Sequence, residues 1–176
     1  KNSLRKKVYE LVEKAALALG IYNGNAKGDV VINSKGQPLL IEMASRLSGG
    51  DFSESLIPLG SGVNIVKESI NLSLGEKVNT IELRDKFTKY VANRYFFTKP
   101  GYINLIKIAI NLEEVKWLKK FELFYKEGDY VEAITSHASR VGVFVVVADT
   151  KEILEKRIEL IYEKVKIIIG EKKSNS

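Results

Sequence analysis

Apolar positions along the chain follow two rhythms. Leu4, Val8, Leu11, Val12, Ala15 and Leu19 recur every three or four residues before Gly20, which predicts an amphipathic helix with a glycine stop over residues 4–19. Val63, Val66, Ile70 and Leu74, followed by Gly75, predict a second helix over 62–74 whose stripe faces a core. Asp149 and Thr150 cap a third, carrying Leu154, Ile158, Ile161 and Val165. The other rhythm is that of strands. Residues 28–33 and 38–43 are β-branched, apolar runs about the Ser34-Lys35-Gly36-Gln37 turn. Tyr90 to Thr98 and Tyr102 to Ala109 flank Lys99-Pro100-Gly101 as a hairpin would, and Lys119 to Lys126 follows a short helix expected over Asn111 to Leu118. Arg140 to Ala148 is the strongest strand of the second half, and the end from Glu171 is expected to fray. The charged stretch 76–89 is short of large apolar residues and marks a boundary, so the expected domains are 1–82 and 83–176 in an α+β fold.

The first hairpin carries an electrostatic oddity. Residues facing each other across an antiparallel pair have numbers with a constant sum, and a two- or four-residue loop centred between Lys35 and Gly36 sets that sum so that Asp29 faces Glu42. Opposed carboxylates repel at a Cβ separation of about 4.5–5.5 Å. Their neighbours are apolar on both faces, which argues for strands covered on both sides; the competing reading is an exposed edge hairpin with solvated acids. A positive group is expected between the acids, and a hard divalent cation such as Mg2+ suits them, because it takes one or two carboxylates together with substrate phosphates. A three-residue turn would instead put Asp29 and Glu42 on opposite faces.

Composition narrows the classes. With 176 residues and 45% hydrophobic composition, the chain can bury a core as one or two small domains. It contains no cysteine and one histidine, which excludes disulfides, thiolate chemistry and a multi-histidine metal site within one chain. No apolar run is long enough to predict a membrane span, and a cytoplasmic, globular protein is expected. The net charge of +6 is concentrated at the ends, in Lys1, Arg5, Lys6, Lys7, Lys172 and Lys173, without an aromatic-interleaved basic run, so nucleic acid is not an expected partner.

Beyond the acids, Arg46-Leu47-Ser48-Gly49-Gly50 offers a guanidinium for bidentate anion recognition and glycines that let backbone N–H groups approach an anion. Asn25 and Lys27 precede the acid strand and read either as a turn former and surface charge or as ligands. His137, in Ser136-His137-Ala138-Ser139-Arg140, lacks the nucleophile-elbow context and third group of a hydrolytic triad, which leaves packing, hydrogen bonding or a substrate-side contact.

At Asp29, at Glu42-Met43-Ala44-Ser45-Arg46 and at Gly49-Gly50 the sequence resembles the ATP-grasp ligase superfamily, especially the carbamoyl-phosphate-synthase-like and amino-acid ligase branch. That family carries Glu-x-Asn-x-Arg or Glu-x-Ala-x-Arg before a glycine-rich loop. Ala44 stands where many members have a metal-binding Asn, which puts the second metal position in question. From Ala92-Asn93-Arg94-Tyr95-Phe96-Phe97 through Pro100-Gly101 to Arg140-Val141-Gly142 the chain resembles the C-terminal module that ends biotin carboxylase. The resemblance implies the C-terminal half of an ATP-grasp fold, an antiparallel sheet with flanking helices, followed by a smaller α+β module. It implies ATP and Mg2+ or Mn2+ as cofactors, with Asp29 and Glu42 as metal carboxylates and Arg46 on the transferred phosphoryl group or substrate carboxylate. Asn25, Lys27, Ser48, Gly49 and Gly50 would stand beside the nucleotide.

The implied activity is an ATP-dependent carboxylate–amine ligase acting through an acylphosphate on a small carboxylate and an amine. The alternatives are a biotin-carboxylase-like or purine-biosynthetic enzyme, or a catalytically silent binding module. Family members supply the adenine clamp and a phosphate-binding lysine and glycine loop upstream of the matching region. The resemblance therefore implies an incomplete enzyme that works with an upstream ATP-grasp half, in the same polypeptide or a separate subunit, with a homodimer as an expected assembly.

Overall fold

A computed structural model describes residues 2–133, 135 and 140–172. The chain divides into two units, Lys1–Pro58 with Val63–Arg84, and Leu59–Gly62 with Asp85–Ser176. His137 and its neighbours Ser136, Ala138 and Ser139 lie outside the described residues.

In the first unit, helix α1 (Asn2–Ala18) lies on an antiparallel pair, β1 (Lys27–Ile32) and β2 (Pro38–Ala44). The approach is close because β1 has a glycine there: a Cβ on Gly28 would stand 3.0 Å from Val12 Cγ2. Val30 and its cross-strand partner Leu40 are half-buried. The reverse face is open, with Val31 and Leu39 each 47% exposed. Within this unit the hairpin is thus covered on one side by α1, and the expectation of two covered faces is not met. Period-two apolar content specifies strands, but only a packed neighbour determines which face is dry.

Helix α3 (Ile65–Ser73) begins after a short helical segment, α2 (Ile57–Ser61), with Asn64 Oδ1 accepting from Lys67 N–H at 3.0 Å. The expected inward stripe is displaced. Ile70 and Leu74 are 55% and 72% exposed, and the buried residues of α3 are Glu68 and Ser69.

The second unit holds two three-stranded antiparallel sheets and one helix. The first sheet runs β3 (Tyr90–Phe96), β7 (Gly142–Ala148), β5 (Leu118–Leu123); the second runs β6 (Tyr130–Val131), β4 (Gly101–Ile108), β8 (Val165–Gly170). Every residue of β7 is buried, as expected of a central strand with both faces covered. Helix α4 (Lys151–Lys164) packs on β7, β3 and β8, and its first turn is capped by Thr150 Oγ1, which accepts from Ile153 N–H at 3.3 Å. Phe144 and Ile161 are fully enclosed. Around them Phe96 and Phe144 pack with their rings tilted at 46° and centres 5.3 Å apart, and Phe144 meets Tyr162 edge-on at 5.1 Å.

Three expectations are corrected here. Tyr90–Phe96 and Gly101–Ile108 do not form a hairpin about Pro100, since β3 pairs with β7 while β4 pairs with β6 and β8. The Pro-Gly pair redirects the chain, but the partners are distant in sequence: β3 joins the wholly buried β7, and β4 joins β6 and β8. The segment after Asn111 is a single 3-10 turn, Leu112–Glu114. Val165, expected to close the stripe of α4, is the buried first residue of β8. Among the described residues no helix is long and apolar enough to cross a membrane.

Because Phe144 is 0% exposed and central to the aromatic cluster, Phe144→Ala should cost about 3–5 kcal/mol. Phe97→Ala, at a residue 58% exposed, should stay within about 0.5 kcal/mol. Chemical denaturation followed by near-ultraviolet circular dichroism checks both.

Candidate functional site

The turn between β1 and β2 is built from three residues. Asn33 N–H donates to Gln37 O at 3.0 Å and Gly36 N–H to Asn33 O at 2.9 Å, with Gly36 in the left-handed region at φ 72°. Asn33 Oδ1 accepts from the N–H groups of Lys35 and Gln37, at 3.0 and 2.9 Å, which rigidifies the turn. Such a turn makes Val30 face Leu40 and Val31 face Leu39. Continued without interruption, that register would have denied Asp29 its partner. A bulge intervenes between Asp29 and Val30, so that Ile41 is skipped and Asp29 faces Glu42 after all. The four-residue or two-residue loop expected from sequence is therefore corrected, while the facing of the two acids is found by another route.

The positive group between the acids is Lys27. Its Nζ donates to Asp29 Oδ2 at 2.6 Å and stands 3.6 Å from Glu42 Oε1. Lys27 and Asp29 are two apart on β1 and so share a face, which places the ammonium beside both carboxylates. The hydrogen bond to Asp29 holds the Lys27 pKa above the ordinary lysine range; partial burial opposes this, the Asp29 and Glu42 charges support it, and the nearby Arg46 charge opposes it. The two acid side chains are 50% and 57% exposed, open on the side that α1 does not cover.

Beside this triplet lies a cleft of about 370 Å3. Asn25, Lys27, Arg46 and Ser48 line one part of it, and Ile65, Glu68, Ser69 and Leu72 of α3 another. Asn25 Nδ2 donates to Ser69 Oγ, tying the approach to β1 onto α3. Arg46 donates from Nη1 to Leu47 O at 3.0 Å. Gly49 and Gly50 are exposed in the loop that follows, and Gly50 and Asp51 adopt successive left-handed conformations, φ 66° and 68°. This geometry gathers Asn25, Lys27, Arg46 and Ser48 around one cleft, leaves Asp29 and Glu42 at the Lys27 end, and leaves Gly49 and Gly50 off its lining. Ser53, Glu68 and Ser69 were missed in the sequence. For Glu68 and Ser69 the signal is the spacing of Ile65, Glu68, Ser69 and Leu72, a helical stripe half of which is polar.

A hard divalent cation is compatible with the carboxylate pair, which is oxygen-bearing and accessible. Among the described residues no cluster of three or more acidic or histidine side chains could hold a metal by itself. A cation taken by Asp29 and Glu42 would complete its shell with water or substrate oxygens, as Mg2+ commonly does.

The fold is shared with known proteins. The family model for L-amino acid ligase C-terminal domain 2 matches residues 94–170. No curated protein sequence gives a significant match. Among solved structures, phosphoribosylglycinamide synthetase from Anaerococcus prevotii matches with a TM-score of 0.82 at 18% identity, covering 97% of this chain and 43% of its own. The L-amino acid ligase from Bacillus licheniformis gives 0.79 at 19% identity, covering 97% and 42%. The biotin carboxylase domain of the Hydrogenobacter thermophilus 2-oxoglutarate carboxylase, solved with MgADP and bicarbonate, gives 0.66 at 20%, covering 96% and 37%. The chain has the fold of the C-terminal part of ATP-grasp ligases. It spans less than half the length of these structures. In this ATP-grasp fold the acid-bearing hairpin and the cleft both belong to the first unit, and the family-model match lies in the second.

The Lys27 ammonium gives a direct test of the site's electrostatics in metal-free solution. Its folded pKa is raised, so its pairing stabilises the fold fully below the unfolded lysine value of about 10.4 and is lost as pH rises through the higher folded value. An NMR titration of the Lys27 side chain should show a late midpoint that falls back in Asp29→Asn; an unchanged midpoint would contradict the assigned hydrogen bond.

Proposed function

We propose that the chain is the C-terminal portion of an ATP- and Mg2+-dependent ligase that joins a carboxylate to an amine. The observation that carries this reading is the facing pair Asp29 and Glu42, on an ATP-grasp fold, with Arg46 and Lys27 beside a cleft of small-molecule size. The match of its second unit to an L-amino acid ligase domain favours the amide-forming chemistry over the carboxylation performed by biotin carboxylases. An upstream ATP-grasp half would hold the adenine and complete the phosphate site.

In this reading a carboxylate oxygen attacks the γ-phosphorus of ATP and ADP leaves. The amine nitrogen then attacks the acyl carbon, phosphate departs, and the nitrogen loses a proton to give the amide. Bound Mg2+ would supply neutralisation of charge on the phosphate oxygens. Asp29 and Glu42 would hold it from one face of the hairpin. Lys27 offsets the repulsion between the two acids and lines the cleft beside them. Arg46 orients the anionic substrate group through its guanidinium. The protein's part is mainly positioning and electrostatics.

In the complete enzyme, Asp29→Asn and Glu42→Gln should each lower turnover by roughly a hundredfold or more while leaving circular dichroism and thermal unfolding close to the parent. Chelation of divalent cations should abolish turnover, with Mg2+ restoring it. Unchanged turnover in both variants would remove the metal assignment.

A further inference from the structure

Helix α3 presents a polar pair where a core stripe would be expected. Ile65, Glu68, Ser69 and Leu72 line the cleft at helical spacing. Ile70 and Leu74 point to solvent instead. Ser69 is accounted for by its bond from Asn25. Glu68 is not. It is 6% exposed, and among the described residues its side chain makes no hydrogen bond or ion pair. Its carboxylate oxygens are not among the enclosed, unpartnered polar atoms of the described residues, so they are reached from the cleft that Glu68 lines. Its place in the first turn of α3 suits a negative charge, but the helix end does not pair its oxygens.

We propose that Glu68 anchors the ammonium group of a small amine that occupies this cleft. The wall around it is apolar, through Ile57, Leu72 and Val78, so an amine on a compact aliphatic body fits. Arg46 lines the same cleft and meets an anionic group on the same ligand, if it carries one. The identification of this amine with the ligase's acceptor rests on the reading given above; the charge match at Glu68 does not.

Three molecules of one shape separate the contributions: L-leucine, isoamylamine, which lacks the carboxylate, and 4-methylpentanoate, which lacks the amine. Calorimetric titrations on the whole polypeptide without nucleotide should show binding of the first two. In Glu68→Gln both should weaken by about tenfold or more, as a charged hydrogen bond is lost, and Glu68→Asp should fall between. Affinity for 4-methylpentanoate should not follow. If the variants do not fold, 13C spectra of the unaltered protein decide: isoamylamine should shift the Glu68 carboxyl resonance and 4-methylpentanoate should leave it in place. Equal amine affinity in a folded Glu68→Gln, or an unmoved resonance, overturns the proposal. Because no nucleotide is present, failure here leaves the ATP-dependent reading standing, and loss of that reading leaves the amine site standing.

Discussion

Two carboxylates facing each other across a β-ladder repel, and a cation between them offsets that repulsion. In the first unit that cation is the Lys27 ammonium, 2.6 Å from Asp29 and 3.6 Å from Glu42. The rest of the site follows from this triplet. The strand alternation that puts Lys27 and Asp29 on one face is the same alternation that puts Gly28 and Val30 under α1, so the charged face and the packed face are fixed together. A covered reverse face would have buried three charges in a small unit; the exposure of Val31 and Leu39 accompanies that of the acids.

Much of this was legible in the sequence, and the gaps have physical reasons. The helices at both ends and the buried strand β7 were legible because their apolar periods are long and unbroken. The facing of Asp29 and Glu42 was anticipated, but from the wrong turn: loop length was inferred from symmetry, whereas Gly36 and Asn33 select a three-residue turn, and the bulge that restores the pairing has no signature in residue type. The hairpin expected about Pro100 failed for a different reason. Local turn chemistry sets a direction, but which strand pairs with which depends on burial between residues far apart in sequence, as for Phe96 and Gly142.

The residues of the candidate site divide along the same line. Asp29, Glu42, Arg46 and the glycine pair stood out because charge and glycine are visible in one dimension. Glu68 did not, since an acid at the start of a helix is common and only burial makes it unusual. Helix α3 shows how a period can be read correctly and a phase wrongly. The displaced stripe, with Leu74 outside and Glu68 inside, became evident only once the cleft supplied a direction for inside.

The bulge at Ile41 separates two things that an uninterrupted ladder would bind together. In a regular hairpin, loop length alone dictates which side chains meet. Here one surplus residue in β2 lies between the loop and the acids, and Ile41 itself is 66% exposed with little packing to lose. The loop can thus gain or lose a residue and be compensated at Ile41, without moving the charged triplet. The tip of this hairpin is free to vary in length, while the chemistry at its base keeps its register.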